Sequence, residues 1–278
     1  MNRIGINLWN WSKSPFEDFE ILIEKTAALG FDAVELPMGK LEGVNWHKIR
    51  QIADQNNLEI TLCASLPAGS DISSFEEIQR KNAESYLFQC CEIGGILGAK
   101  VLSGPIYSGG GKRHLLDEDM KKREWDYAVA GLRKVALEAK KNGLNLGIEP
   151  INRYRTSVVN RAEQGLRMCA DIGEENTGLL YDTYQANIEE KNVAQTLAQI
   201  LKEEKLVHLH TCENHRGVPG SGHIDWQTIA QLLKESNYIG HCTMELFCAG
   251  GLDASWDAAE DRDREAENGL RFMRKLLG

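Results

Sequence analysis

Eight short runs rich in β-branched and other apolar residues recur along the chain, separated by longer stretches with helical periodicity. The runs are IGINLW (4–9), AVELP (33–37), LEITLCAS (58–65), KVLSG (100–104), LNLGIE (144–149), GLLYD (178–182), LVHLH (206–210) and CTMEL (242–246). Each has the length of a strand. Between them, sets such as Phe19, Leu22, Ile23, Thr26 and Ala27, or Tyr127, Leu132, Val135, Ala136 and Ala139, mark one face of an amphipathic helix. Gly30, Gly143 and Gly240 stand just past three of these helices, where a left-handed residue would close them. A strand that crosses over through a helix rejoins its sheet in parallel, and eight such units with no Pro- or Ser-rich linker predict a sheet closed on itself. The expected fold class is therefore α/β, a single (β/α)8 TIM barrel with residues 1–278 as one domain. A doubly wound nucleotide-binding sheet would open with a glycine-rich turn, whereas the first run leads into NLWNWS. Gly109, Gly110 and Gly111 follow a strand but lack the GK[ST] ending of a P-loop, and are read as a flexible loop over the barrel mouth.

Composition narrows the function classes. Apolar residues make up 42% of the chain and charged residues 26%, and no apolar run approaches the ~18 residues of a membrane span. Neither a disordered chain nor a membrane protein is expected. Asp and Glu outnumber Lys and Arg by 41 to 32, and the net charge of -9 suits a phosphate backbone poorly, so no nucleic-acid partner is expected. The start, MNRIGINLW, has no basic segment followed by an apolar one, which points away from a signal peptide and toward a cytoplasmic location. The seven cysteines (Cys63, Cys90, Cys91, Cys169, Cys212, Cys242 and Cys248) are scattered and form no CxxC pair. They read as mostly buried free thiols, not a disulfide framework or a thiolate zinc site.

In a (β/α)8 barrel the working residues sit at the C-terminal ends of the strands. Four consecutive runs place chemistry there: Glu149 ends LNLGIE, Asp182 ends GLLYD, His210 ends LVHLH with His208 two positions earlier, and Glu245 is one residue from the end of CTMEL. Singly, an acid after a strand is commonly the N-cap of the next helix, and a strand histidine is often a hydrogen-bonded core residue. Together, three inward carboxylates without a cation would repel one another and lose their hydration. A bound divalent ion removes both penalties, and an oxygen-rich set with one nitrogen suits manganese, magnesium or cobalt better than structural zinc. His208 and His210 share a strand face ~6.6 Å apart. The position nearer the C-terminal end favours His210 as the ligand, leaving His208 one layer deeper, either a partner behind the ligands or a core residue.

The segments EPINRY (149–154), YDTYQANIEE (181–190), HLHTCENHRGVPGSGHIDW (208–226) and MELF (244–247) carry a family resemblance. In order and in spacing, over most of the chain, they resemble the metal-dependent ketose 3-epimerases, the tagatose/psicose epimerase group of the xylose-isomerase-like sugar isomerases. The resemblance implies a Mn2+ or Co2+ ion held by Glu149, Asp182, His210 and Glu245, with no organic cofactor, and the donor set leaves Mg2+ as a further possibility. It also implies that Glu149 and Glu245 are the catalytic pair on opposite sides of a ketose C3. One takes the C3 proton to give a cis-enediolate and the other returns a proton to the opposite face. Arg216 is implied as a donor to the C1 end of the sugar and Glu213 as an orienting residue beside it. Trp9, Trp11 and Phe247 are candidates for the apolar wall against the sugar's C–H face. The expected partner is a small sugar, and the expected assembly is a homodimer or homotetramer.

Two substrate-binding positions depart from the family pattern. The epimerases carry a glutamate six residues after the first metal glutamate, where this chain has Arg155, and a histidine three after the aspartate, where it has Gln185. A guanidinium in place of an acceptor carboxylate reverses what the site asks of its ligand. Arg155, with Arg153, therefore points to a substrate bearing a carboxylate or an additional carbonyl, such as a keto sugar acid or an oxidised glycoside. Aldose–ketose isomerisation and β-elimination from a keto-glycoside use the same site chemistry and remain open. A metal-assisted endonuclease and a non-catalytic sugar-binding barrel are the readings from other classes.

Overall fold

Inside each of the eight runs side chains alternate between two faces, and the tertiary structure gives the two faces different neighbours. In the computed structural model, which describes residues 2–250 and 260–278, the strands are β1 (Arg3–Asn7), β2 (Ala33–Pro37), β3 (Glu59–Cys63), β4 (Val101–Gly104), β5 (Asn145–Ile148), β6 (Thr177–Asp182), β7 (Leu206–His210) and β8 (His241–Met244). They pair in sequence order, all parallel, and β1 pairs with β8 to close the barrel. Outward residues, among them Ile4, Ile6, Val34, Leu36, Leu62, Leu102, Leu146 and Leu209, form the main apolar core beneath the helices. The inward face is largely polar near the mouth, where Asn7, Glu35, Thr61, Ser103, His208, His210 and Thr243 are fully buried. At the opposite end His241 Nε2 lies 2.8 Å from Glu59, which also pairs with Arg3 at 3.1 Å.

The helices are α1 (Phe19–Ala28), α2 (Trp46–Gln55), α3 (Glu77–Leu97), α4 (Glu118–Lys141), α5 (Ala162–Ile172), α6 (Thr183–Glu189), α7 (Val193–Lys202), α8 (Trp226–Glu235) and α9 (Arg262–Leu277). The α1 stripe Phe19, Leu22, Ile23 and Thr26 is buried as its spacing predicts. On α4 the buried stripe runs from Glu124 through Ala128 and Leu132 and leaves out Tyr127, whose ring instead meets Phe75 edge-on. Two helices, α6 and α7, follow β6 where the repeat predicts one. Gly30 and Gly143 are left-handed, but Gly240 is not, because α8 has already ended at Glu235 and the chain is entering β8. Gly98 and Gly173, not anticipated, are left-handed C-caps of α3 and α5. All seven cysteines are free, and all but Cys248 are buried. Among the described residues no helix is long and apolar enough to cross a membrane.

Candidate active site and metal centre

Both glutamates of the predicted pair are the first residues past their strands, one position later than the sequence pattern suggests for Glu149 and two positions later for Glu245. Glu149 follows β5, and its N–H donates to the Gly104 carbonyl at 3.1 Å, which ties it to the end of β4. Glu245 follows β8. Asp182 and His210 end β6 and β7. One ligand atom from each of Glu149, Asp182, His210 and Glu245 can be chosen so that all four lie within 4.8 Å of one another, and all four residues are buried. Asp182 also caps α6: its Oδ1 accepts from Tyr184 N at 2.8 Å while Oδ2 accepts from Arg216 Nη1 at 2.8 Å. His210 turns Nε2 toward Glu35, 2.7 Å away, so that its buried Nδ1 has no hydrogen-bond partner and lies 3.5 Å from Glu245 Oε2. A buried imidazole nitrogen without a donor or acceptor, facing three carboxylates, is what a divalent ion would satisfy. The donor set fits the metal centre.

The charges in the cluster split the two glutamates. Burial, reinforced by the negative charge of Glu245, pushes Glu149 well above the usual carboxylate range, against the pull of His210 and Arg216. Burial pushes Glu245 up as well, but His210 and Arg216 outweigh it and hold its carboxyl below the usual value. Asp182 is raised by burial, with Arg216 opposing.

Beside the cluster opens a cavity of about 400 Å³, within the range of small-molecule sites. Glu149, Glu245, Arg155, Gln185, Arg216, Trp9 and Phe247 line it, together with Gly109, Gly110 and Gly111 at the barrel mouth. Arg216 bonds both Asp182 and Glu245, the latter at 2.9 Å, and lies 4.1 Å over the Tyr184 ring and 5.2 Å over Phe247. Its backbone is left-handed, with φ of 61°. Trp9 and Phe247 are stacked, with ring centroids 6.5 Å apart. Gln185 Oε1 accepts from Asn152 N and Nδ2, and because a backbone N–H can only donate, the carboxamide orientation is fixed with its NH2 left for other partners.

Other sequence candidates lie elsewhere. Trp11 is away from the cavity, donating Nε1–H to Asp263 with Lys25 over its ring. Arg153 is exposed and bonded to Glu189, so it does not join Arg155. Glu213 does not line the cavity. Its buried carboxylate gathers Gly220 N, Trp226 Nε1 and Ile224 N, which shapes the loop that carries Arg216. His208 stays outside the four-residue cluster, with Nε2 2.8 Å from Glu35. Glu35 itself was not anticipated. Its signal was present as the one charged residue in AVELP, but it stands two positions before the strand end where site residues are usually sought.

An eight-stranded parallel barrel with three carboxylates and an imidazole converging at its C-terminal mouth, beside a small-molecule cavity, defines a metal-assisted barrel enzyme. The profile described as xylose isomerase-like TIM barrel matches residues 23–276, and the chain belongs to that family, in its ketose 3-epimerase group. It is 31% identical to an L-ribulose 3-epimerase of Mesorhizobium japonicum over 91% of this chain and 84% of the relative. With a D-psicose 3-epimerase of Enterocloster bolteae it shares 29% identity over 99% of this chain and 96% of the relative. Among solved structures, a D-psicose 3-epimerase with D-tagatose from Clostridium cellulolyticum H10 superposes with a TM-score of 0.90 at 29% identity, covering 99% of each chain.

Proposed function

We propose that this chain is a divalent-metal-dependent ketose 3-epimerase, with Glu149 and Glu245 as its acid and base. The observation that carries the reading is geometric: Glu149 and Glu245 belong to one buried four-residue cluster and both line the small-molecule cavity beside it. Inversion at a carbon next to a carbonyl needs a base on one face and an acid on the other. Glu149, Asp182, His210 and Glu245 would hold the ion, Mn2+ by preference with Co2+ or Mg2+ able to replace it. When bound, such an ion supplies Lewis-acid polarisation of the carbonyl, which acidifies the neighbouring C–H. One of the two glutamates takes the C3 proton. The other delivers a proton to the opposite face of the enediolate, and the roles exchange in reverse. Arg216 donates to oxygens at the C1 end, and the stacked Trp9 and Phe247 cover the C–H face and exclude water.

Two relatives named as 3-epimerases of D-psicose and L-ribulose support the ketose class. Within that class, Arg155 on the cavity wall favours a substrate with a carboxylate or second carbonyl, and Gln185 supplies an NH2 donor beside it. The working form is a homodimer or homotetramer in the cytoplasm, acting on a small sugar without nucleic acid. The decisive test is proton NMR after incubation in D2O with Mn2+ and a panel of ketoses, with the ion chelated before spectra are taken. Deuterium at C3 with inversion is the expected result. Deuterium with carbonyl migration would make the protein an isomerase, and no exchange with any sugar would leave a binding barrel. Glu245→Gln should keep some metal, bound more weakly, while losing about 10²- to 10⁴-fold in exchange rate when saturated with the ion.

A further inference from the structure

A further buried carboxylate lies beneath the four cluster residues. Glu35, in the middle of β2, has no solvent exposure and does not line the cavity. Its oxygens are shared among four side chains from three other strands. Oε1 accepts from Thr61 Oγ1 at 3.1 Å and faces His208 Nε2 at 2.8 Å. Oε2 accepts from Asn7 Nδ2 at 2.7 Å and from His210 Nε2 at 2.7 Å. For His210 the consequence is directional. A carboxylate can only accept, so the ring proton of a neutral imidazole belongs on Nε2, and the lone pair is left on Nδ1, which has no hydrogen-bond partner and lies 3.5 Å from Glu245 in the cluster.

We propose that Glu35 is a positioning residue of the metal centre: it holds His210 in the Nε2–H tautomer and the ring orientation that present Nδ1 to the ion. The proposal rests on the metal-centre reading above. His208, Asn7 and Thr61 hold Glu35 in turn, which gives three polar side chains in the barrel interior one common task. Asn7 extends the network to the cavity wall, because its Oδ1 accepts from Trp9 N at 3.0 Å and sets the turn that carries that ring. A ligating histidine whose second N–H loses its carboxylate commonly loses about 10- to 100-fold in metal affinity.

The test uses Co2+ as the probe on wild type, Glu35→Gln and Glu35→Leu. Gln keeps one oxygen for an imidazole but no charge, and Leu removes the acceptor. Co2+ affinity by chelator competition should fall about tenfold in the Gln variant and about 100-fold in the Leu variant. In the Co2+-loaded wild type, proton NMR should show one hyperfine-shifted, slowly exchanging N–H from His210, and in Glu35→Gln this signal should shift and exchange faster. The wild-type spectrum needs no variant to fold. If Co2+ affinity in Glu35→Gln stays within twofold of wild type, or if the wild type lacks the shifted exchangeable proton, Glu35 has only a structural role and the proposal is overturned. A wild type that binds no Co2+ overturns the metal-centre reading along with it.

Discussion

Asp182 does two things because a carboxylate has two oxygens: Oδ1 caps α6 and Oδ2 pairs with Arg216. The alternatives posed by the sequence, helix cap or site residue, are therefore both realised. Asp182→Asn keeps an oxygen for the cap and loses the charge, so thermal unfolding of the metal-free protein should change by less than about 1 kcal/mol while Mn2+ affinity, read by calorimetric titration, drops at least tenfold. Arg155 is the residue to exchange for specificity. Arg155→Glu should lower kcat/KM for acidic or oxidised keto sugars and raise it for neutral ketoses; equal turnover of both classes, unaffected by the substitution, would sink the assignment. Much of this was legible one letter at a time, since Glu149, Asp182, His210 and Glu245 stand at or next to strand ends. Glu35 was not, because nothing along the chain places it beside a histidine 175 positions away.

Loops decide how the site is presented, and two of them are fixed by buried carboxylates. Glu213 holds the loop after β7 by accepting from backbone and indole N–H groups, and this sets the left-handed Arg216. Glu213→Ala leaves these donors without partners and should cost about 3 kcal/mol in denaturant unfolding. The Gly109–Gly111 loop is held from the other side, where Asp71 accepts from Gly109 N at 3.0 Å and pairs with Lys112 at 2.8 Å. Burial pushes Asp71 up, but Lys112, Ser73 and the Gly109 N–H outweigh it and hold its carboxyl below the ordinary value of about 3.8. A depressed folded-state value means that the pair contributes its full stability above pH 3.8 and loses it as the pH falls through the lower folded value. Amide exchange at Gly109–Gly111, corrected for its intrinsic pH dependence, should therefore rise below about pH 4, and in Asp71→Asn it should already be raised at neutral pH. The helical stripes foretold these elements better than their loops, because periodicity reports a buried face whereas Asp71 and Lys112 meet across 41 positions.

At the scale of the whole molecule the site exists only when the barrel is closed. Its ligands come from β5, β6, β7 and β8, and their support reaches back to β1 and β2. An ion bound there meets the folded chain and not the unfolded one, so Mn2+ at 100 times its Kd should add about 2.7 kcal/mol and raise Tm by roughly 5 °C. Chelation should reverse the shift, and Asp182→Asn should remove most of it; a Tm indifferent to Mn2+ in the wild type would contradict the metal centre. The sequence by itself determined the eight-fold strand and helix order, the parallel barrel and the carboxylates and histidine at four strand ends. Those follow from local periodicity and from the rule that barrel chemistry sits at strand C-termini. Only the tertiary structure decided that Glu35 lies beneath the cluster, and that Arg155 reaches the cavity while Arg153 turns outward to Glu189. These depend on contacts between residues far apart in the chain, set by how the strands close around the axis.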